Sequence, residues 1–288
     1  MSLYSVSELY KGLPRGKYAL AAFNVHNMEY TQAVIKAAEK MNAPIILMIG
    51  EPIIPFAGLK MLSTICKFAA HNTKIPVAIT LDHGKKMDII NESIKLGLSV
   101  MIDGSLLPFE ENVKLTREVV EKAHRSGLSV EGELGSIAGV EDEKETKAAA
   151  MTNPKMAKIF VGETKVDILA ISIGNCHGLY RAKPKLDLQR LARINKLVSI
   201  PLVLHGGSDL PEDQTRKAIE LGIKKYNIGT DLKNAFAVTL KRIINQEPMP
   251  FQPPDILGVA REAVFEVACK KIRLMGSSGL ASNFNLDR

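Results

Sequence analysis

The chain contains no tryptophan, only three cysteines, and no run approaching the roughly 20 apolar residues of a membrane-spanning helix. Cys66, Cys176 and Cys269 lie far apart and form no C-x-x-C pair, which argues against a disulfide framework and indicates a reducing compartment. Residues 1–24 contain no long apolar segment of the kind found in secretory signals. We therefore expect a cytoplasmic protein with no membrane association.

The basic residues are not concentrated in any one stretch. The formal charge is +7, but lysines and arginines are scattered, and adjacent lysines occur only at 85–86, 224–225 and 270–271. Aromatic residues make up 5% of the chain and do not alternate with basic residues, as they do in single-strand binding proteins. These features exclude nucleic acid as the expected partner and are compatible with a phosphorylated metabolite.

No G-x-G-x-x-G follows the first strand-like run, where Ala22-Phe23-Asn24 stands instead, so the main support for a dinucleotide-binding sheet is missing. Eight strand-like runs alternate with helix-like segments, which predicts a (β/α)₈ barrel forming one domain over residues 1–288. An extra amphipathic helix is predicted from Pro254 to Leu274. The eight runs are Tyr18–Asn24, Pro44–Ile49, Val77–Leu81, Leu98–Ile102, Ser129–Glu133, Ile168–Ile173, Pro201–Leu204 and Lys225–Ile228.

Polar residues stand where these runs end, which in a barrel is the face that carries the chemistry. They are Asn24, Asp82, His83, Asp103, Glu133, His177, His205 and Asn227. A purely structural role as a helix cap suits Asn24 or Asp103 singly, but imidazoles make mediocre caps. Of the six histidines, only His83, His177 and His205 are followed directly by glycine.

Three imidazoles from three separate strands suit a catalytic Zn²⁺, because three protein ligands leave one position open to a substrate. The glycine after each histidine would let the backbone approach a small ligand closely. Asp103 and Glu133 would hold a second divalent or monovalent cation or orient the histidines. Gly206-Gly207-Ser208 and the segment from Asn227 to Thr230 precede helices, so their N–H groups would form a phosphate cradle.

Seven short motifs, in family order, make the chain resemble the class II, zinc-dependent ketose-bisphosphate aldolases over about residues 5 to 279. The run from Asp103-Gly-Ser through Pro108-Phe to Glu-Asn-Val-Lys-Leu, and His205-Gly-Gly-Ser-Asp-Leu-Pro, resemble the tagatose-bisphosphate branch in particular. The motifs are Ala-Phe-Asn24-Val, Leu-Asp82-His83-Gly, Met-Ile-Asp103-Gly-Ser, Glu131-Gly-Glu133-Leu-Gly, Gly-Asn-Cys-His177-Gly-Leu-Tyr, Leu-His205-Gly-Gly-Ser208 and Asn227-Ile-Gly-Thr.

The resemblance implies reversible retro-aldol cleavage of a fructose- or tagatose-type ketose 1,6-bisphosphate to dihydroxyacetone phosphate and an aldehyde such as glyceraldehyde 3-phosphate. Zinc on the three histidines would polarise the ketone and stabilise its enediolate. Asp82 would act as general acid and base at the hydroxyl of the cleaved carbon. Glu141, on the long loop Gly135–Thr152, would move the carbon-bound proton; the alternative for Glu141 is a solvated charge run.

The expected substrate-binding residues are Asn24, Gly178, Gly206, Gly207, Ser208, Asn227, Gly229, Thr230, Asp231 and Arg261. We expect a homodimer or homotetramer that acts on small phosphorylated sugars in carbohydrate metabolism, of which glycolysis is one instance.

Two departures from the family pattern affect the aldehyde half of the substrate. Gly50 stands where many members carry a serine near the distal phosphate, and Gly258 stands where the family carries an arginine. Arg261, one helical turn later, is the expected replacement.

Three alternative functions remain beside cleavage of a ketose 1,6-bisphosphate. The first is an aldolase with another aldehyde partner, as in a deoxy-ketogluconate phosphate or a 6-sulfo-ketose 1-phosphate. The others are a metal hydrolase and a non-catalytic barrel. A metal hydrolase would usually carry a His-x-His pair on the first strand. Here the single His26 lies just beyond that strand.

If Glu141 moves the proton at the carbon of dihydroxyacetone phosphate, Glu141→Ala should slow deuterium exchange of that proton sharply while zinc content stays near wild type. Deuterium wash-in followed by NMR measures this. No exchange by the wild-type protein would contradict the aldolase interpretation. Equal exchange by both proteins would assign the base to another residue, with Asp142 and Glu143 next to be tested.

Overall fold

The computed structural model describes residues 2–141, 144–146, 150–178, 185–208 and 210–286, and the side chains of all of these except 138–141 and 144–146. Eight parallel strands pair in the circular order β2-β3-β4-β5-β6-β9-β11-β12, and β12 pairs with β2 to close the barrel. The predicted (β/α)₈ fold is therefore confirmed. The barrel strands are β2 Leu20–Asn24, β3 Ile45–Gly50, β4 Val77–Gly84, β5 Ser99–Ile102, β6 Val130–Leu134, β9 Ile168–Ile171, β11 Leu202–Leu204 and β12 Ile223–Ile228.

Helices connect successive strands and form the outer layer. They are α2 Met28–Met41, α3 Ile54–Ala57, α4 Leu59–His71, α5 Met87–Lys95, α6 Phe109–His124, α7 Pro154–Thr164, α8 Leu188–Leu197, α9 Glu212–Glu220 and α10 Thr230–Ile244, with a 3₁₀ turn at Glu51–Ile53. Local sequence explains several of their ends: the side chain of Asn153 accepts from the backbone of Lys155 and Met156 to begin α7. The extra C-terminal helix is confirmed as α11 Pro253–Met275, which ends at the left-handed Gly276.

Alternation of side chains along the strands separates two cores. In β2, Ala21 and Phe23 face the helices, whereas Leu20 and Ala22 belong to a cluster inside the barrel. The N-terminal segment β1 Leu3–Tyr4 and helix α1 Val6–Gly12, which the strand pattern did not predict, contribute Val6 and Leu9 to that inner cluster. Residues of α1 and inward-facing apolar strand residues therefore form the inner core together. The polar inward positions lie at the other end of the barrel.

A smaller sheet of three strands, in the order β10-β7-β8, lies outside the barrel order. It contains β7 Ala138–Glu141, β8 Lys144–Thr146 and β10 Cys176–His177. The long connection Gly135–Thr152 therefore carries a hairpin, and β7 pairs in parallel with β10, opposing Gly139 to His177. His177 is thus displaced from the expected strand end: β9 stops at Ile171, and a further strand carries the imidazole.

Within the described residues, no single helix is long and apolar enough to cross a membrane. Among the same residues, Glu51–Ala57 and Leu59–His71 are long and apolar enough only when taken together, and a bend of 97° separates them.

Candidate active site

The polar layer at one end of the barrel follows from the same alternation that builds the inner core. In β4, Ala78 faces inward, so Asp82, four residues on, also faces inward, two inward positions further along the strand. Glu131 and Glu133 share the inward face of β6, as Lys225 and Asn227 share that of β12. Seven inward positions form this layer: Asn24, Asp82, Glu131, Glu133, His205, Lys225 and Asn227.

Three imidazoles meet at the centre of this layer. The ring centroids of His83 and His177 are 5.0 Å apart, those of His83 and His205 4.7 Å, and those of His177 and His205 5.8 Å. One ring nitrogen from each histidine can be chosen so that all three lie within 4.8 Å of one another. The structure therefore brings together the three histidines singled out in the sequence.

The backbone at His83 has φ of 48°, a left-handed conformation that costs a non-glycine residue on the order of 1–3 kcal/mol. A Cβ at Gly84 would lie 2.7 Å from the carbonyl oxygen of Met101, and one at Gly206 would lie 2.0 Å from that of Cys176. These glycines permit close backbone packing inside the protein. That packing explains why glycine follows His83 and His205.

Two carboxylates lie behind the His83 ring. Nδ1 of His83 is 3.1 Å from Oδ2 of Asp103 and 3.8 Å from Oε2 of Glu133. Burial opposes ionisation of Asp103, but the His83 contact, the Ser105 hydroxyl and Lys85 outweigh it and hold the Asp103 pKa well below its usual value. An ionised Asp103 accepts the Nδ1–H of His83 and leaves Nε2 for the centre of the site. The same three residues also form a second group able to hold a cation, so both predicted roles of Asp103 and Glu133 stand.

His205 is held by a buried pair that the sequence analysis did not assign to the site. Nε2 of His205 lies 2.7 Å from Oε1 of Glu131, and the Lys225 ammonium lies 2.6 Å from Oε2 of the same carboxylate. Burial raises the Glu131 pKa, but Lys225 and His205 outweigh it and hold that pKa at about 2. Burial lowers the pKa of His205, which favours the neutral ring. Glu131 therefore accepts Nε2–H, and Nδ1 of His205 is left facing Nε2 of His83 at 2.8 Å.

Asp82 is buried beside this cluster, with 4% of its surface exposed. The amide of Asn24 donates to its Oδ2 at 2.8 Å, and the amide of Asn227 donates to its Oδ1 at 3.3 Å. Both carboxylate oxygens are therefore oriented by amides from two other strands, β2 and β12, neither of which is adjacent to β4. The two hydrogen bonds fix the position of the Asp82 carboxylate beside the histidines.

A cavity of about 350 Å³, which we name the cradle cavity, opens over Asp82, His177 and His205. Seven predicted substrate-binding residues line it: Asn24, Gly178, Gly206, Ser208, Asn227, Gly229 and Thr230. His26, Gly50, Pro52, Ile53 and Lys233 also line it. Thr230 begins α10, so the helix N-terminus, Gly206 and Ser208 form a wall whose chemistry suits an anion.

Three predicted substrate-binding residues are not among those lining the cradle cavity in the described part of the chain. A Cβ at Gly207 would lie 1.9 Å from the Tyr226 ring, so this glycine serves packing. The carboxylate of Asp231 pairs with Lys271, and its backbone N–H donates to the Ser208 hydroxyl at 3.2 Å, which positions Ser208. Arg261 donates to the side chain of Gln32 on α2 at 2.6 Å. Arg261 therefore does not supply the replacement for the family arginine within this cavity.

A second cavity of about 330 Å³, the lysine cavity, adjoins the first at Gly50, Pro52, Asp82 and His177. Lys85, Lys86, Ser105, Leu106, Ser136 and Ile137 are among its lining residues. Ser136 and Ile137 begin the connection that leads to Glu141. The backbone of Glu141 lies in β7 opposite Lys144, and its side chain lies outside the described residues.

The family model for class-II fructose-bisphosphate aldolase matches residues 4–280. The chain belongs to this family. The YdjI aldolase from Escherichia coli K12 is 36% identical over 97% of this chain and 99% of its own, with a TM-score of 0.86. A provisionally assigned fructose-1,6-biphosphate aldolase from Coccidioides immitis is 29% identical over 92% and 94%, with a TM-score of 0.85. Fructose-bisphosphate aldolase from Campylobacter jejuni is 21% identical over 97% of each chain, with a TM-score of 0.80, and supports the fold.

Class II aldolases generally depend on zinc, and the donor set of this aldolase suits that ion. Three imidazole nitrogens are the ligands of a catalytic Zn²⁺ with an open position. The carboxylates behind His83 and His205 supply the outer contacts that fix ring orientation in such sites.

Metal loading should require His205. Wild-type protein dialysed against Zn²⁺ and then metal-free buffer should retain about one zinc per chain, whereas His205→Ala should retain little, because two imidazoles remain. Elemental analysis measures both. His71→Ala, which removes an exposed imidazole on α4, is the matched control and should load like wild type. Full retention by His205→Ala, His83→Ala and His177→Ala alike would contradict the assignment.

Proposed function

We propose that this aldolase catalyses the reversible retro-aldol cleavage of a ketose 1,6-bisphosphate of the fructose or tagatose type, giving dihydroxyacetone phosphate and an aldehyde. The observation that carries the proposal is the juxtaposition, in one cavity, of His177 and His205, the doubly hydrogen-bonded Asp82 and the wall formed by Ser208 and Thr230. This combination offers a place for a phosphate, a cation and a proton carrier within the length of one small sugar. The proposal treats residues 1–288 as one domain, which the closed barrel supports.

His83, His177 and His205 would hold the zinc. When bound, zinc supplies Lewis acidity toward the ketone oxygen of the substrate. Glu131 and Asp103 keep the rings of His205 and His83 oriented, and Lys225 keeps Glu131 ionised in the buried layer. The protein thus prepares the site before the substrate arrives, which avoids reorganisation during the reaction.

Asp82 is the group that we assign to the hydroxyl of the cleaved carbon. In the cleavage direction its carboxylate takes the proton from the C4 hydroxyl, the C4–O bond becomes a carbonyl, and the C3–C4 bond breaks. The electron pair of that bond remains on the three-carbon fragment that becomes dihydroxyacetone phosphate. Asn24 and Asn227 hold Asp82 in place throughout, since each donates to a different oxygen.

A second proton is needed at C3 to complete dihydroxyacetone phosphate, and we assign its delivery to Glu141. The support is the resemblance in sequence together with the course of the backbone: β7, which contains Glu141, pairs with β10, which contains His177. The 1-phosphate is assigned to the N–H groups at the start of α10 with Gly206 and Ser208, because a helix N-terminus favours an anion.

The second candidate is the same chemistry with a different aldehyde. Gly50, Pro52 and Ile53, which follow β3, also line the cavity and offer no side-chain donor to a distal phosphate. The hydrolase alternative is not favoured, because neither group of metal-competent residues found among the described residues includes His26. The ring of His26 packs instead against Tyr30, with centroids 5.0 Å apart.

Replacing Asp82 with asparagine should separate proton transfer from binding. Asp82→Asn keeps the shape but removes the basic carboxylate, so cleavage should fall by about 10²–10⁴-fold, the usual contribution of a general acid and base. Zinc content and dihydroxyacetone phosphate affinity should stay close to wild type. Steady-state cleavage assays and elemental analysis test this together. A loss of zinc equal to the loss of activity would assign Asp82 a structural role instead.

A further inference from the structure

The positions of the two cavities around the barrel suggest how a substrate lies across the mouth. The wall of the cradle cavity whose chemistry suits an anion follows β11 and β12. In the closed order of eight strands, β4 lies four places from β11, and β5 lies four places from β12. The ends of β4 and β5 are therefore on the opposite side of the barrel mouth. The residues directly after β4 and β5, including Lys85, Lys86, Ser105 and Leu106, line the lysine cavity.

The reacting centre lies between the two cavities. Asp82 and His177 line both, so a chain that begins at the phosphate wall and passes Asp82 continues into the lysine cavity. We propose that the lysine cavity is the subsite for the aldehyde half of the substrate, and that Lys86 recognises an anionic group at its far end. This inference rests on the proposed aldol reaction and specifies its second substrate.

The charged side chains next to Lys86 in this cavity, Glu51 and Lys85, already have partners. Glu51 Oε2 accepts the backbone N–H groups of Lys85 at 2.6 Å and Lys86 at 3.1 Å, which satisfies this carboxylate and uses the backbone donors at the start of α5. The Lys85 ammonium lies 3.4 Å from Asp103. Within the described part of the chain, no hydrogen bond or ion pair engages the ammonium of Lys86. Lys86 is therefore the cation available to a ligand.

The remaining lining suits a short polyhydroxylated chain. Ser105 and Ser136 provide hydroxyls, and Asp82 accepts hydrogen bonds at the inner end. Leu106 and Ile137 offer apolar surface to C–H groups. A volume of about 330 Å³ accommodates an aldehyde of three or more carbons. The inferred class of second substrate is a hydroxyaldehyde that ends in a phosphate or a carboxylate.

The test compares three aldehydes of three carbons in condensation with dihydroxyacetone phosphate: glyceraldehyde 3-phosphate, tartronate semialdehyde and neutral glyceraldehyde. With Lys86→Gln, the KM for charged aldehydes should rise about 10- to 100-fold, as expected for losing one charge-assisted hydrogen bond. The KM for glyceraldehyde and that for dihydroxyacetone phosphate should change little. The charged aldehyde with the larger effect identifies the terminal group.

Lys95→Gln, at the other end of α5 and exposed, is the matched control and should behave like wild type. Unchanged kinetics in Lys86→Gln, or equal changes for charged and neutral aldehydes, would overturn the subsite. Deuterium exchange into dihydroxyacetone phosphate without any aldehyde distinguishes the two proposals. If exchange persists in Lys86→Gln, the substitution affects only the aldehyde subsite. If wild type catalyses no exchange, both the aldolase proposal and this one are overturned.

Discussion

The candidate site depends on one buried network of hydrogen bonds that runs from Lys225 through Glu131 to His205, whose Nδ1 faces Nε2 of His83 at 2.8 Å. Lys225 and Glu131 lie inside the barrel with 0% and 2% of their surfaces exposed. A buried charge is tolerated only when it is paired and hydrogen-bonded, and removing one partner of a buried ion pair typically costs about 3–5 kcal/mol. The network therefore ties the orientation of the imidazoles to the integrity of the barrel core.

The close backbone contacts around the histidines serve the same arrangement. His83 adopts a left-handed conformation, and Gly84 packs against the strand that follows. Gly206 approaches the segment that carries His177, so two of the three imidazoles are brought near each other by backbone packing that any side chain would obstruct. The hydrogen bond of the His83 ring with Asp103 helps to offset the unfavourable backbone at His83.

The sequence predicted the barrel well because apolar runs alternated with helix-like segments and seven of the eight runs ended in polar residues. Period-two alternation carried several of those residues to one end of the barrel interior. It predicted less where contacts cross the barrel. In the sequence Lys225 is one of two adjacent lysines at the start of the eighth strand-like run, and only the structure shows that it is buried against Glu131. Two acidic residues two positions apart in a buried strand, Glu131 and Glu133, were the available signal. The position of His177 in β10 depends on pairing with β7, which the local sequence does not encode. Arg261 was placed by counting along a helix, and its contact with Gln32 depends on how α11 packs against α2.

The central claim is that the three imidazoles hold one metal ion at which the ketone of dihydroxyacetone phosphate is activated. Co²⁺ accepts the same nitrogen ligands as Zn²⁺, and its visible absorption reports changes among its ligands. The decisive measurement is the spectrum of the Co²⁺-loaded protein with dihydroxyacetone phosphate and with glycerol 3-phosphate, which carries the same phosphate but no ketone. The account predicts that dihydroxyacetone phosphate changes the spectrum and that glycerol 3-phosphate competes for binding without reproducing the change. The same spectrum with both ligands, or no change with either, would contradict it.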